Sequence, residues 1–176
     1  MTRLSADPTL ETARLWLVVP SADHLAAHEA FLASDRAAAL GWGAMPHDAW
    51  RSFAAICGHR TLRGFGPFIA EAKGDGHVVG LFGPWHPGGQ PEGEIKWAVW
   101  PDGDEGKGLA HEAALAVRAY ACQTLGWRTA VSYINPENHR SAALARRLGA
   151  TLDQQWTTPR GTLVNVWRHP APAGVA

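Results

Sequence analysis

The chain is poor in cysteine, lysine and tyrosine and carries no surplus of charge. Cys57 and Cys122 are its two cysteines in 176 residues. Both fall in segments of helical pattern, which excludes a small disulfide-stapled scaffold and points to a reducing, cytoplasmic compartment. Basic and acidic residues balance at 16 each, so the electrostatic footprint of a nucleic-acid or anionic-membrane binder is missing. Thirteen of the basic residues are arginine, which reads as coding bias. Apolar runs fall short of the ~18 residues that cross a bilayer. The first residues, Met1 to Pro8, lack the apolar core of a signal peptide.

What is present suits one globular domain. Apolar residues make up 46%, and a chain of this length buries a full core. Residues 1–9 and 170–176 read as loose tails around a core of about 10–168. Thr12–Pro20 has the β-branched, apolar character of a strand that Pro20 stops. Ser21 caps a helix running to about Ser34, and Ala37–Met45 reads as a turn. A second helix spans Pro46 to about His59, with Trp50, Phe53, Ala54 and Cys57 on one face. Pro67–Ala72 and His77–Phe82 flank an Asp-Gly turn, the signature of a hairpin. After the breaker-rich loop Gly83–Gly93 come a strand Glu94–Trp100, a polar loop Pro101–Gly108 and an alanine-rich helix from Leu109 to about Leu125. On that helix Ala113, Val117 and Tyr120 form one apolar stripe, and Leu115, Ala119 and Cys122 a second. A strand Trp127–Ile134, a helix Ser141–Leu148 and strands Thr151–Trp156 and Leu163–Arg168 complete the pattern. The order describes an α/β domain with one mixed sheet. Trp16, Trp127 and Trp167 are expected in the core.

The stretch around the glycine loop carries the chemistry. Strand, glycine loop and helix N-terminus are how a fold offers backbone N–H groups to a phosphorylated ligand. A Walker loop requires glycine where Pro101 stands and Ser or Thr where Gly108 stands. A dinucleotide fingerprint requires glycine where His111 stands. Gly106-x-Gly108-x-Ala110 remains.

Three stretches, in order and covering most of the chain, resemble the GNAT superfamily of acetyl-CoA-dependent N-acetyltransferases. They are Leu10-Glu-Thr-Ala-Arg-Leu15, Glu94–Ala114 with its Gly106-Lys-Gly-Leu-Ala-His-Glu-Ala, and Pro136-Glu-Asn-His-Arg-Ser141 followed by Leu144-Ala-Arg-Arg-Leu-Gly-Ala150. The match is nearest to the ribosomal-protein N-terminal acetyltransferase branch. The resemblance implies a twisted, mostly antiparallel mixed sheet flanked by helices, acetyl-CoA as co-substrate, an amine acceptor and no metal. A homodimer is compatible with it.

It also implies roles for particular residues. Gly103, Glu105, Gly106, Lys107, Gly108, Leu109 and Ala110 form the pyrophosphate loop. Backbone groups of Ala98, Val99 and Trp100 pair with the pantetheine arm, Asn138 and Arg147 contact the cofactor, and Ser141 protonates the leaving thiolate. Asn138 is equally the N-cap of the following helix, with Ser141 at N3. The sequence departs from the family at Gly103, where Gln or Arg is usual. It departs again in Asp102, Asp104 and Glu105, three carboxylates opposed by Lys107 alone.

Acyl transfer needs a neutral amine. Deprotonating a lysine-like amine at pH 7 costs about 4.6 kcal/mol, against about 1 for an α-amine, so a base matters more for the former. Glu94, beside the expected thioester, is the first candidate base, working through water. Glu71 and His86 are weaker ones. Trp42, Trp85, His86, Trp97 and Trp100 flank the expected acceptor cleft, which suits an apolar or aromatic acceptor, with core packing the first reading for Trp97. The acceptor stays open between a protein N-terminus and a small-molecule amine. An acyl-CoA-binding module without turnover is the alternative. His24 and His28 have zinc-like spacing but lack the glutamate of His-Glu-x-x-His.

Overall fold

The computed structural model describes residues 8–170. The expected tails therefore lie almost wholly outside the described residues. An eight-stranded sheet organises the chain in the spatial order β1-β2-β3-β4-β5-β6-β8-β7. The strands are β1 (Leu10–Glu11), β2 (Leu15–Val18), β3 (Phe68–Ala72), β4 (Val78–Trp85), β5 (Glu94–Val99), β6 (Val131–Ile134), β7 (Thr151–Thr157) and β8 (Leu163–Arg168). Helices α1 (Leu25–Leu32), α2 (Asp35–Ala39), α3 (Pro46–Arg63), α4 (Leu109–Gln123) and α5 (His139–Arg147) cover its two faces.

Strands β1 to β5 pair antiparallel in order, and β6, β8 and β7 form a second antiparallel set. The sets meet at β5 and β6, which run parallel and are in register at one pair, Glu94 with Val131. Beyond that pair the strands part, and this gap positions the site.

Period-two alternation along the strands supplies both layers of core. Leu15, Leu17, Phe68, Ile95 and Trp97 pack with Ala113, Val117 and Tyr120 of α4 and Ala145 of α5. On the other face Ile69, Leu81, Ala98 and Trp100 pack with Phe31 of α1 and Ala49, Phe53 and Ile56 of α3. Truncating a side chain as enclosed as Phe68, at 0% exposure, costs about 3–5 kcal/mol.

The expected single strand from Thr12 is instead a corner. Thr12 Oγ1 accepts the Leu15 N–H at 3.0 Å and donates to Glu112 Oε1 at 2.6 Å, folding Leu10–Glu11 back onto β2. The turn expected over 37–45 begins as helix α2, because the Ser34 side chain accepts from the Ala37 N–H. Strand β4 runs past Gly83 and through Pro84. Pro84 sits opposite Ile95 and beyond the last paired residue of β3, so its missing N–H costs no ladder bond. Residues 127–130 are irregular, and β6 starts at Val131. Helix α4 buries its first stripe, whereas Leu115 and Ala119 of the second are exposed and Cys122 is half-buried. Trp16 is exposed too, with Lys73 Nζ 4.5 Å above its ring. Trp167 is buried as expected, and Trp127 packs edge-on against Phe65.

Candidate active site

The gap begins at a polar peg. Ser132 Oγ donates to the Ile95 carbonyl at 2.7 Å and lies 2.9 Å from His169 Nε2. With the serine proton committed to Ile95, the histidine must carry its proton on Nε2 and donate to Ser132. His169 is buried and its Nδ1 has no partner. Burial lowers its pKa from 6.5 to about 4, aided by the nearby Arg118 charge, so the ring is neutral.

Past the peg, antiparallel alternation decides which backbone groups face β6. Trp100 N–H donates to Val79 O at 2.9 Å, so Trp100 and its even-numbered neighbours turn their polar groups to β4. The odd-numbered residues turn theirs to the gap. The Ile95 carbonyl is held by Ser132, and the Val99 carbonyl accepts Arg36 Nε at 3.0 Å. Of the three positions expected to meet a pantetheine arm, Val99 thus faces the gap through its N–H. Ala98 and Trp100 do not, and Trp97 joins Val99.

The loop that follows enters helix α4 through Gly108. Gly106 and Gly108 have φ of 74° and 80°, a region that L side chains enter at a cost of about 1–2 kcal/mol. Glu112 N–H makes the first α4 bond, to Gly108 O. The N–H groups of Leu109, Ala110 and His111 thus precede the helical ladder, the position from which a helix N-terminus offers donors to an anion. That arrangement fits a phosphorylated co-substrate.

The carboxylates of this loop carry more counter-charge than Lys107. Asp104, 5% exposed, accepts from His77 Nε2 at 2.8 Å and Lys107 Nζ at 3.1 Å. Asp75 and Asp104 together raise the His77 pKa. Asp102 pairs with Arg36 at 3.3 Å. Glu105 pairs with Arg36 at 2.5 Å and with Arg140, and these partners hold its carboxyl below the usual range. Arg14 is clamped to Glu112 at 2.7 Å and donates to Lys107 O at 2.9 Å. The expectation that Lys107 opposes three carboxylates alone is therefore corrected. Arg36, His77 and Arg140 were missed because they pair over separations of 27 to 69 residues. Only Arg140 had a local signal, as the neighbour of Ser141. Arg147, expected at the cofactor, lies exposed in the last turn of α5, about two helical turns beyond Arg140.

On the far wall Asn138 caps α5, its Oδ1 accepting the Ser141 N–H at 3.0 Å. Trp97 Nε1 reaches across from β5 and donates to Ser141 Oγ at 3.2 Å. Trp97 thus packs in the core on the α4–α5 face, the first of its two expected readings, and not in a cleft with Trp42 and Trp85. The Ser141 proton cannot point at the indole N–H and is left free to donate elsewhere.

Glu94 marks the closed end of the gap. It is 7% exposed, and burial raises its pKa against the pull of Lys96, Gln90 and the Tyr133 N–H. Gln90 Nε2 approaches its Oε2 at 3.4 Å, while the Gln90 carbonyl engages His86 Nε2 at 3.0 Å. Trp85 stacks on His59 with centroids 4.4 Å apart. Trp42 meets Phe31 edge-on and lies under Lys96 Nζ at 5.2 Å. Glu71 is bound to His24 at 3.0 Å, opposite Val78 at the other end of β4 from Glu94. His28 engages Ser52 at 2.7 Å, so the two histidines of similar spacing have separate partners.

Residues 14–151 match the acetyltransferase (GNAT) domain family. The chain belongs to that family. This GNAT acetyltransferase is 32% identical to the acetyltransferase of Agrobacterium tumefaciens strain C58, with 97% of this chain and 98% of that one superposed at a TM-score of 0.85. A GNAT-family acetyltransferase of Bacillus anthracis shares the fold at 16% identity, covering 93% and 98% of the two chains at a TM-score of 0.75. The ribosomal L7/L12 α-N-protein acetyltransferase in complex with coenzyme A does so at 15% identity, 93% and 98% coverage and a TM-score of 0.71.

Proposed function

We propose that this acetyltransferase moves the acetyl group of acetyl-CoA directly to a primary amine, with both substrates bound at once. The observation that carries the reading is the gap between β5 and β6. It is lined by the Trp97 and Val99 backbone, walled by Ser141 and closed at the Glu94 end. Acetyl-CoA supplies the activated acyl group as a thioester.

In this reading Glu94 takes a proton from the incoming amine through water. Its buried carboxylate is a stronger base than a solvated one. The amine nitrogen bonds to the acyl carbon as the C–S bond breaks. The Val99 N–H polarises the acyl oxygen as an oxyanion donor does. Ser141 delivers its proton to the departing sulfur and recovers one from solvent. Trp97 keeps the serine lone pair engaged and its proton directed away from the indole.

The acceptor is a protein α-amine or a small-molecule amine. Trp42 and Trp85, half-exposed on the face that Glu94 shares, favour an apolar or aromatic group beside the nitrogen. The loop acidity that would argue for binding without turnover is offset by Arg36, His77 and Arg140. Release of free thiol from acetyl-CoA, followed across α-amino peptides, aromatic amines and polyamines, tests the proposal. Amine-dependent release supports it. Tight acetyl-CoA binding with no release on any amine would leave the non-catalytic module as the better account.

A further inference from the structure

The gap has two lips, the loop after β5 and the first turn of α5 after β6. Glu105 on one lip and Arg140 on the other form an ion pair across its mouth. A cofactor whose phosphates lie on the glycine loop must share this space.

The cations around the loop are not equivalent. Arg36 has a side chain only 15% exposed and is tied to Val99 O, Asp102 and Glu105. Lys107 is held by the buried Asp104, and Arg14 by Glu112. Arg140 has an 80% exposed side chain and is held by Glu105. Glu105 in turn keeps Arg36 at 2.5 Å, so releasing Arg140 does not leave its carboxylate uncompensated. The exchange of partners is therefore cheap for Glu105, and it frees a planar guanidinium suited to bidentate phosphate recognition.

We propose that Arg140 pairs with the phosphates of the CoA moiety and that Glu105 is its competitor rather than a cofactor ligand. Binding swaps the Glu105 carboxylate for a phosphate on the Arg140 guanidinium. The loop itself offers Gly103 where a cation would be useful, and the positive charge comes from the opposite lip. Arg140 thereby selects a phosphorylated thioester carrier over bare pantetheine. The inference rests on the reading of the gap as the CoA site.

Calorimetric titration with CoA and with pantetheine, at low salt, tests it without reference to turnover. Arg140→Gln should weaken CoA about tenfold, a loss of about 1.4 kcal/mol, and leave pantetheine unchanged. Removing a cation from the first turn of α5 carries no helix-dipole penalty, so the variant stays folded. Glu105→Gln should tighten CoA about threefold, and this gain should vanish in the Arg140→Gln background. Unchanged CoA affinity in Arg140→Gln, or weakened affinity in Glu105→Gln, overturns the proposal while the CoA site stands. A wild-type chain that binds no CoA overturns both.

Discussion

Replacing Ser141 by alanine tests a chemical role and a structural one in a single variant. On sequence alone the change looks harmless to stability, since alanine is the better helix former and N3 needs no hydroxyl. The indole of Trp97 alters that. Its Nε1–H donates to Ser141 Oγ at 3.2 Å from a side chain that is 9% exposed. Loss of the acceptor strands a buried donor, which costs about 1–3 kcal/mol. Set against a few tenths regained from helix propensity, the net is about 1–2 kcal/mol. At about 2–4 °C per kcal/mol for a domain of this size, Tm should fall by about 2–8 °C. Adding Trp97→Phe removes the orphaned N–H and should restore part of that loss. As a general acid Ser141 should contribute about 10²-fold to kcat with little effect on the acetyl-CoA KM. Thermal melts and steady-state kinetics read both effects. An unchanged Tm refutes the indole bond in solution, and a kcat within twofold of wild type removes Ser141 as proton donor.

Other expectations can be checked as directly. Glu94→Gln should slow transfer most where Glu94 is ionised while the amine is still protonated, and recover at higher pH as free amine accumulates. Wild-type activity should fall on the acid side at a pH above the usual carboxylate range, because burial raises the Glu94 pKa, and the variant should lack that limb; superimposable pH–rate profiles remove Glu94 as the base. Gly108→Val places a β-branched residue at φ 80°, where its Cβ would meet only Arg14 at 3.5 Å. It should cost about 2 kcal/mol of stability and weaken CoA at least tenfold, and unaltered affinity by calorimetry dismisses the loop assignment. His169 is neutral in the fold with a pKa of about 4 and takes up a proton near 6.5 when unfolded. The unfolded chain therefore binds more protons between these values, so stability falls as pH drops from about 6.5 to 4, by up to about 3 kcal/mol. His28 is lowered to about 4 by burial as well, so His169→Gln should remove only its share of that slope in melts across the same range, and an unchanged slope assigns the acid sensitivity elsewhere.

The parts of the site legible in the sequence were the local ones. Gly106 and Gly108 at a helix start, Asn138 as cap and Ser141 at N3 follow from spacing within one turn. The Asp-Gly hairpin and most element boundaries are local too. What escaped depends on partners far along the chain. Strand alternation showed that Trp97 and its neighbours point to opposite faces. It could not say which face α4 would cover, and so leaves Trp97 open between the core and the acceptor cleft. The acidic loop looked uncompensated because Arg36, His77 and Arg140 reach it only through tertiary packing. Thr12 bends the chain because Glu112, 100 residues later, accepts its hydroxyl.

The single parallel register pair between β5 and β6 also bears on how the molecule comes apart. Strands β3 to β5 and strands β7 and β8 are hairpins closed over short loops. The join between the two sets must wait for the whole of α4 to return the chain, and it then gains one register pair and the Ser132 peg. Loop-closure entropy makes such a seam slow to form, and few bonds hold it shut. Amide exchange should therefore be fastest, among the paired strands, along β6 where it faces β5. Mild denaturant should part the molecule on that line first, erasing the gap between β5 and β6 while the hairpins on either side still hold.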